Sequence, residues 1–286
     1  SFNLNSFSKS FLTNAPSTQY ANLEDYGTIP ILYLNDNLDF IKLIYKNSIG
    51  GTIGVENISK TAANGAFDTY NADIGFELLF FGCFPANLQG SSAGFQALVS
   101  AGTIQGGSIV VQAFDSASAV ISKEYTINLN CPSGKGFEPI RLTWLNQWGA
   151  WDYYTFTMKS SKMISTKGST YQQLAGSWNE ATYRIDSFKG GKKAFRVNAT
   201  EKITMNTDFV NESESEWFEE LINSPEVYIL EGFKDETATP NTALNQYVTP
   251  VRLTTSSYTK KTIANDRLMQ YTFEVEKSKT LRTQAV

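Results

Sequence analysis

The chain has 286 residues, 41% of them hydrophobic and 13% aromatic, enough to bury a substantial core and to exclude global disorder. It contains no histidine, which removes the Ser-His-Asp triad, Cys-His pairs, histidine zinc sites, the two-His iron triad and haem held by an axial histidine. Its 24 basic and 28 acidic residues leave a net charge of −4, a field that does not draw a chain onto a phosphate backbone, and no stretch approaches the ~18 apolar residues of a membrane-spanning helix.

At ~100–200 residues per domain the length suggests roughly two domains. The polar segment Ser1 to Asn14 has neither the basic start nor the apolar block of a signal peptide. A start at Ser1 fits initiator removal from an intracellular product. Phe2, Leu4, Phe7, Phe11 and Leu12 stand among serines and asparagines like pegs on an extended arm, over about 1–14, that either folds back on its own domain or inserts into a neighbour. Beyond it, period-two alternation rich in Thr, Val, Ile and Tyr predicts strands at Thr28–Leu34, Phe40–Tyr45, Gly75–Phe81, Phe95–Ser100, Ser108–Phe114 and Val120–Leu129. Asn35-Asp36-Asn37, Gly50-Gly51 and Gly106-Gly107 supply turn chemistry between them. The punctuation Cys131-Pro-Ser-Gly-Lys-Gly136 places a boundary near Asn130–Gly136, between a β-rich unit over 1–130 and a second β-unit over 137–286.

The second unit carries all five tryptophans. Strands are expected at Ile140–Asn146, Tyr153–Lys159, Glu180–Ser187, Lys193–Asn206, Glu226–Leu230, Val248–Thr255 and Leu268–Lys277, with a tight hairpin at Lys189-Gly190-Gly191-Lys192. One segment breaks the strand pattern. Near 212–223, Trp217 and Leu221 lie four apart, as do Phe218 and Ile222, Ser213 and Glu216 have capping-box spacing, and Pro225 follows. The expected fold is all-β, a sandwich or barrel, with that one short helix.

Few residues suggest chemistry. Asn35 to Asp39 offers alternate oxygens, but the calcium loop's glycine and glutamate positions hold Phe40 and Lys46, so a strand-joining turn is expected. Ile49 to Gly54 lacks the dinucleotide-binding glycine spacing, and Cys83 and Cys131 stand alone, without a CxxC pair. No catalytic, metal or cofactor residue is therefore assigned, and no enzymatic activity is expected. Paired carboxylates could still run glycoside hydrolysis at about 5–9.5 Å separation, and Asp152, Glu180, Asp186 and Glu201 are available. The most informative stretch is the hairpin over 138–159, where Leu142, Trp144, Tyr154 and Phe156 can pack one face while Trp148 and Trp151 project near the turn. Such aromatics serve as core or as a sugar- or protein-contact platform, with core the favoured reading of the residues alone.

At this hairpin, Pro139-Ile-Arg-Leu-Thr-Trp-Leu-Asn-Gln-Trp-Gly-Ala-Trp-Asp-Tyr-Tyr-Thr-Phe resembles a stretch of structural tail proteins of bacteriophages, notably those of Bacteroidetes and crAss-like phages. Glu214 to Tyr228 resembles their acidic helix running into a strand, and Pro250 to Thr262 with Leu268 to Glu276 resembles their closing strand pair. The likeness covers roughly Phe137 to Lys277. It implies a virion subunit, made in the bacterial cytoplasm, that packs into a tail ring, hub or tube segment. The implied partners are copies of itself and other tail or head-tail connector proteins, with no membrane and no direct nucleic-acid recognition. Phe2, Leu4, Phe7, Phe11, Trp148 and Trp151 are the candidate assembly contacts. The alternative is a carbohydrate-binding β-sandwich, which requires Trp148 and Trp151 open side by side.

Overall fold

The structure, a computed structural model, describes residues 11–34, 38–59, 67–71, 76–129, 137–173, 176–177, 181, 184–185, 190–230, 248–255, 257 and 269–279. The expected turn at Asn35–Asn37, the expected boundary at Asn130–Gly136, Cys131, Glu180, Asp186 and the arm residues Phe2, Leu4 and Phe7 lie outside them.

In the first half, alternating apolar residues build two sheets over one core. A five-stranded sheet has the order β1 (Thr18–Ala21), β8 (Tyr125–Leu129), β7 (Ser108–Phe114), β3 (Phe40–Lys46), β4 (Thr52–Ser59), with β1 and β8 parallel and the other pairs antiparallel. A three-stranded sheet has the order β2 (Thr28–Leu34), β6 (Phe76–Gly82), β5 (Phe67–Asn71). Ile41, Leu43 and Tyr45 of β3 and Tyr125, Ile127 and Leu129 of β8 share a buried cluster with Ile29, Ile31 and Tyr33 of β2 and Leu79 and Phe81 of β6. Each such side chain contributes about 1.5–3 kcal/mol by leaving water. Gly107 is required where two segments cross, because a Cβ there would lie 2.0 Å from the Lys46 carbonyl oxygen.

Two short helices, α1 (Pro85–Ser91) and α2 (Ala93–Ser100), follow β6. The expected strand at Phe95–Ser100 is thus a helix. Ser92 caps it by accepting from the Phe95 N–H at 2.9 Å, and Phe95, Leu98 and Val99 recur at helical spacing against the core. Val120 makes only an isolated bridge to Phe114, so the strand expected from Val120 begins at Tyr125. β1, β4 and β5 are strands that no sequence pattern announced, as is β11 (Ser160–Gln173) in the second half.

The second half is a seven-stranded antiparallel sheet in the order β10 (Trp151–Phe156), β9 (Ile140–Leu145), β15 (Val227–Leu230), β16 (Val248–Leu253), β17 (Thr272–Lys277), β14 (Gly191–Asn206), β11 (Ser160–Gln173). Its edges, β10 and β11, do not pair, so the sheet is open. Helix α3 (Glu212–Asn223) lays Trp217, Phe218 and Leu221 on a separate core with Leu142, Trp144, Phe156, Met205 and Phe273. The expected helix is present with a different cap. Asn211 accepts from the Glu214 N–H at 2.9 Å and Glu214 accepts from the Asn211 N–H at 2.9 Å, two residues earlier than the Ser213–Glu216 spacing suggested.

Gly190 and Gly191 do take positive φ, 104° and 80°, yet they do not join neighbouring strands of one ladder. β14 pairs with β11, which ends at Gln173, and a two-stranded ribbon of β12 (Gly176–Ser177) and β13 (Arg184–Ile185) lies between them in sequence. The chain is all-β in class, with three helices among the described residues.

Candidate functional site

The β9–β10 hairpin is buried on both faces, and this makes it the seam of the molecule. Leu142 opposes Tyr154, Trp144 opposes Asp152 and Ile140 opposes Phe156, so the face expected to pack does pack, on the second core. The Trp144 and Trp217 rings lie 4.8 Å apart. The opposite face carries Arg141, Thr143, Tyr153 and Thr155 toward the first half.

At the turn, Asn146 accepts from the Trp148 and Ala150 N–H groups, each at 3.0 Å, and Gly149 supplies the positive φ of 77° that the reversal needs. The Asn146 amide donates to the Leu12 carbonyl at 3.0 Å and to Asp152 Oδ1 at 3.2 Å. Asp152 Oδ1 also accepts from the Thr13 hydroxyl at 2.6 Å, and Oδ2 accepts from the Trp217 indole N–H at 2.7 Å. Asn14 donates to Glu220 on α3. Residues 11–15 therefore form a strap from the first half to the second. Asp152 is its anchor, and burial pushes that carboxyl up to about 6, against the hydrogen bonds from Thr13 and Trp217 that hold it down.

A second buried cluster lies on the other face of the hairpin. Arg141 donates through Nη1 to Thr155 Oγ1 at 2.7 Å and to Asp25 at 3.4 Å, and through Nε and Nη2 to the Tyr26 carbonyl at 3.1 and 2.8 Å. Thr155 donates to the same Asp25 oxygen at 3.0 Å. The guanidinium stacks 4.9 Å from the Phe84 ring and 5.2 Å from the Tyr153 ring, each contact worth about 0.5–2 kcal/mol when desolvated. Both halves thus contribute to one fully engaged polar network. Beside it a cleft lined by Thr13, Gln19, Thr28, Phe84, Trp151 and Asp152 encloses about 200 Å³ including its open mouth, below the ~300–1,000 Å³ of small-molecule sites. The chemistry this arrangement supports is the uptake and release of a proton at Asp152.

The expected contact residues fall in different places. Phe11 is buried in the first core, bridging to Ile31 and edge-on to Tyr125 at 5.7 Å, so the arm is already part of the body from Phe11 onward. Trp148 is half-buried with its indole N–H 3.4 Å from Asn14 Oδ1, and Trp151 is half-buried edge-on to Tyr228 at 5.6 Å. The two indoles are each engaged within the chain rather than forming an open pair.

Of the four carboxylates, Asp152 lies on β10, whereas Glu201 lies on β14 and is paired with Lys277 at 3.3 Å. Five strand steps separate them in the sheet order, and each is engaged elsewhere, Asp152 with Thr13, Asn146 and Trp217 rather than with a second carboxylate. Among the described residues no three carboxylates or cysteines converge as a metal site, and Cys83 is a buried free thiol. Sequence reasoning missed Thr13, Asp25, Arg141 and Asn146. The one available signal was Arg141, a lone charge inside an otherwise apolar run. Compared with protein-family models and with curated proteins, the chain matches none.

Proposed function

We propose that the chain is a non-enzymatic structural subunit of a phage tail, located in the virion, that builds a ring, hub or tube segment by contact with copies of itself and with neighbouring tail or connector proteins. Beside the sequence resemblance of the hairpin, the observation that carries this reading is the β11–β14 ribbon. β14 is joined to β17 only over Lys202–Asn206, whereas its pairing with β11 runs back to Gly191. Residues 161–172 and 191–197 are exposed on both faces, and Phe195 is 77% exposed. A two-stranded ribbon alone is marginal in water, and one carrying Met163, Ile164, Tyr171, Phe195 and Val197 in the open is surface suited to another protein.

Sedimentation velocity at rising concentration, with negative-stain microscopy, tests the reading. Concentration-dependent growth into closed or stacked particles is expected. A chain that stays monomeric throughout, and is absent from purified tails, overturns it.

A further inference from the structure

We infer that the β11–β14 ribbon of one copy docks on the acidic α3 face of the next, a head-to-tail contact between two different surfaces of the same chain. The inference rests on the assembly reading above and names the two surfaces that meet.

The ribbon is polarised. Its two strands carry Lys162, Lys167, Lys192, Lys193, Arg196 and Lys202 against the single acid Glu201. With a net charge of −4 on the whole chain and +5 on these strands, the remainder holds −9. The register sets the sides. Ile203 and Met205 are buried on the core face, and that face runs outward through Glu201, Ala199 and Val197, opposite Ile164, Thr166 and Gly168. The other face carries Lys167, Arg196 and Lys193 with Met163 and Tyr171. Between Ser169 and Thr170 the register shifts, so that Phe195 is an extra residue on its strand, a bulge that re-aims a side chain. It sits edge-on to Tyr171 at 6.5 Å. The ribbon therefore presents basic groups around an aromatic tip, at the end of roughly 30 Å of strand.

A negative surface lies on α3 and its exit, where Glu212, Glu216 and Glu226 are exposed. Glu212, Glu214, Glu216, Glu219, Glu220 and Glu226 occur with no basic residue between Asn211 and Glu226. Glu212 and Glu216 are exposed and lie one turn apart, hence on one face. The ribbon and this helix are distinct patches, so the contact is heterologous and propagates from copy to copy until it closes. A nucleic acid would also meet the basic groups, but the −9 on the rest of the chain opposes a phosphate backbone. Another copy of the chain brings both the opposite charge and protein surface for Phe195, Tyr171 and Met163 beside the basic groups.

Charge reversal tests the contact on the full chain. Lys167→Glu, Lys193→Glu and Arg196→Glu together are expected to raise the self-association midpoint by at least roughly tenfold, as is Glu212→Lys with Glu216→Lys. The chain carrying all five changes recovers association, because each surface again meets its opposite. Far-UV circular dichroism checks that every variant is folded. If the unaltered chain assembles and the ribbon variant assembles equally, or the fivefold variant fails to recover, the ribbon–helix assignment is overturned while the assembly reading stands. If the unaltered chain never associates, both fall. Ribbon-dependent retention of a duplex DNA oligomer by a monomeric chain overturns the assignment in favour of a nucleic-acid partner.

Discussion

Asp152 holds its proton well above the range of an exposed aspartate, because three donors do not make up for the water lost on burial. Its folded-state value of about 6 exceeds the model-peptide value of 3.8. Its stabilising contribution is therefore fully present below about pH 4 and lost as the pH rises through about 6. The loss is on the order of 3 kcal/mol by about pH 7. Asp152→Asn removes this dependence, so the gap between variant and wild-type melting temperatures should change across that window; parallel curves would show that another group sets the slope. Arg141 works in the opposite sense. Arg141→Met leaves Asp25 buried beside no cation and should cost ~3–5 kcal/mol in urea unfolding, with Asp25→Asn in the same chain recovering part of it. Neither residue's partner was legible, since Thr13–Asp152 and Asp25–Arg141 pairs join positions more than a hundred apart. Period and spacing report only on neighbours.

Elements were more legible than contacts, and where the reading failed a local competitor won. The strand expected at Phe95–Ser100 has apolar residues that satisfy either period, and the Ser92 cap decided for helix. For α3 the periodicity was sufficient, but two serines and an asparagine competed for the cap. Asn211→Ala should therefore cost about 1 kcal/mol in thermal or urea melts, while Ser213→Ala stays within about 0.5 kcal/mol. Equal costs would return the cap to Ser213. The β9–β10 hairpin, the stretch that carried the tail-protein resemblance, was legible as a hairpin and half legible as a site. Its apolar face was evident, whereas the burial of its other face by the first half depended on a strand pairing and a turn that no pattern encodes.

At the scale of the molecule, two cores meet across the hairpin, and the amino-terminal strap ties one to the other. The sequence pattern predicts that residues 1–14 act as one arm that either folds back on its own domain or inserts into a neighbour. The burial of Phe11 and the Thr13 and Asn14 hydrogen bonds divide that segment in two. Removal of residues 1–14 should destabilise the chain by ~3–5 kcal/mol more than removal of residues 1–10, the cost of losing a buried phenylalanine; equal melting temperatures for the two truncations would refute the strap. The same strap sets an order of events during synthesis. Thr13 waits for a partner 139 residues downstream and Asn14 for one 206 residues downstream, so this segment finds its place long after it has been made. Domains fold as they emerge, and closing so long a loop comes after local contacts have formed. The first core can therefore consolidate early, but the join between the halves is sealed only once α3 has been made. A later segment of the chain thus licenses an earlier one, and a nascent chain that ends before α3 lacks the closed seam.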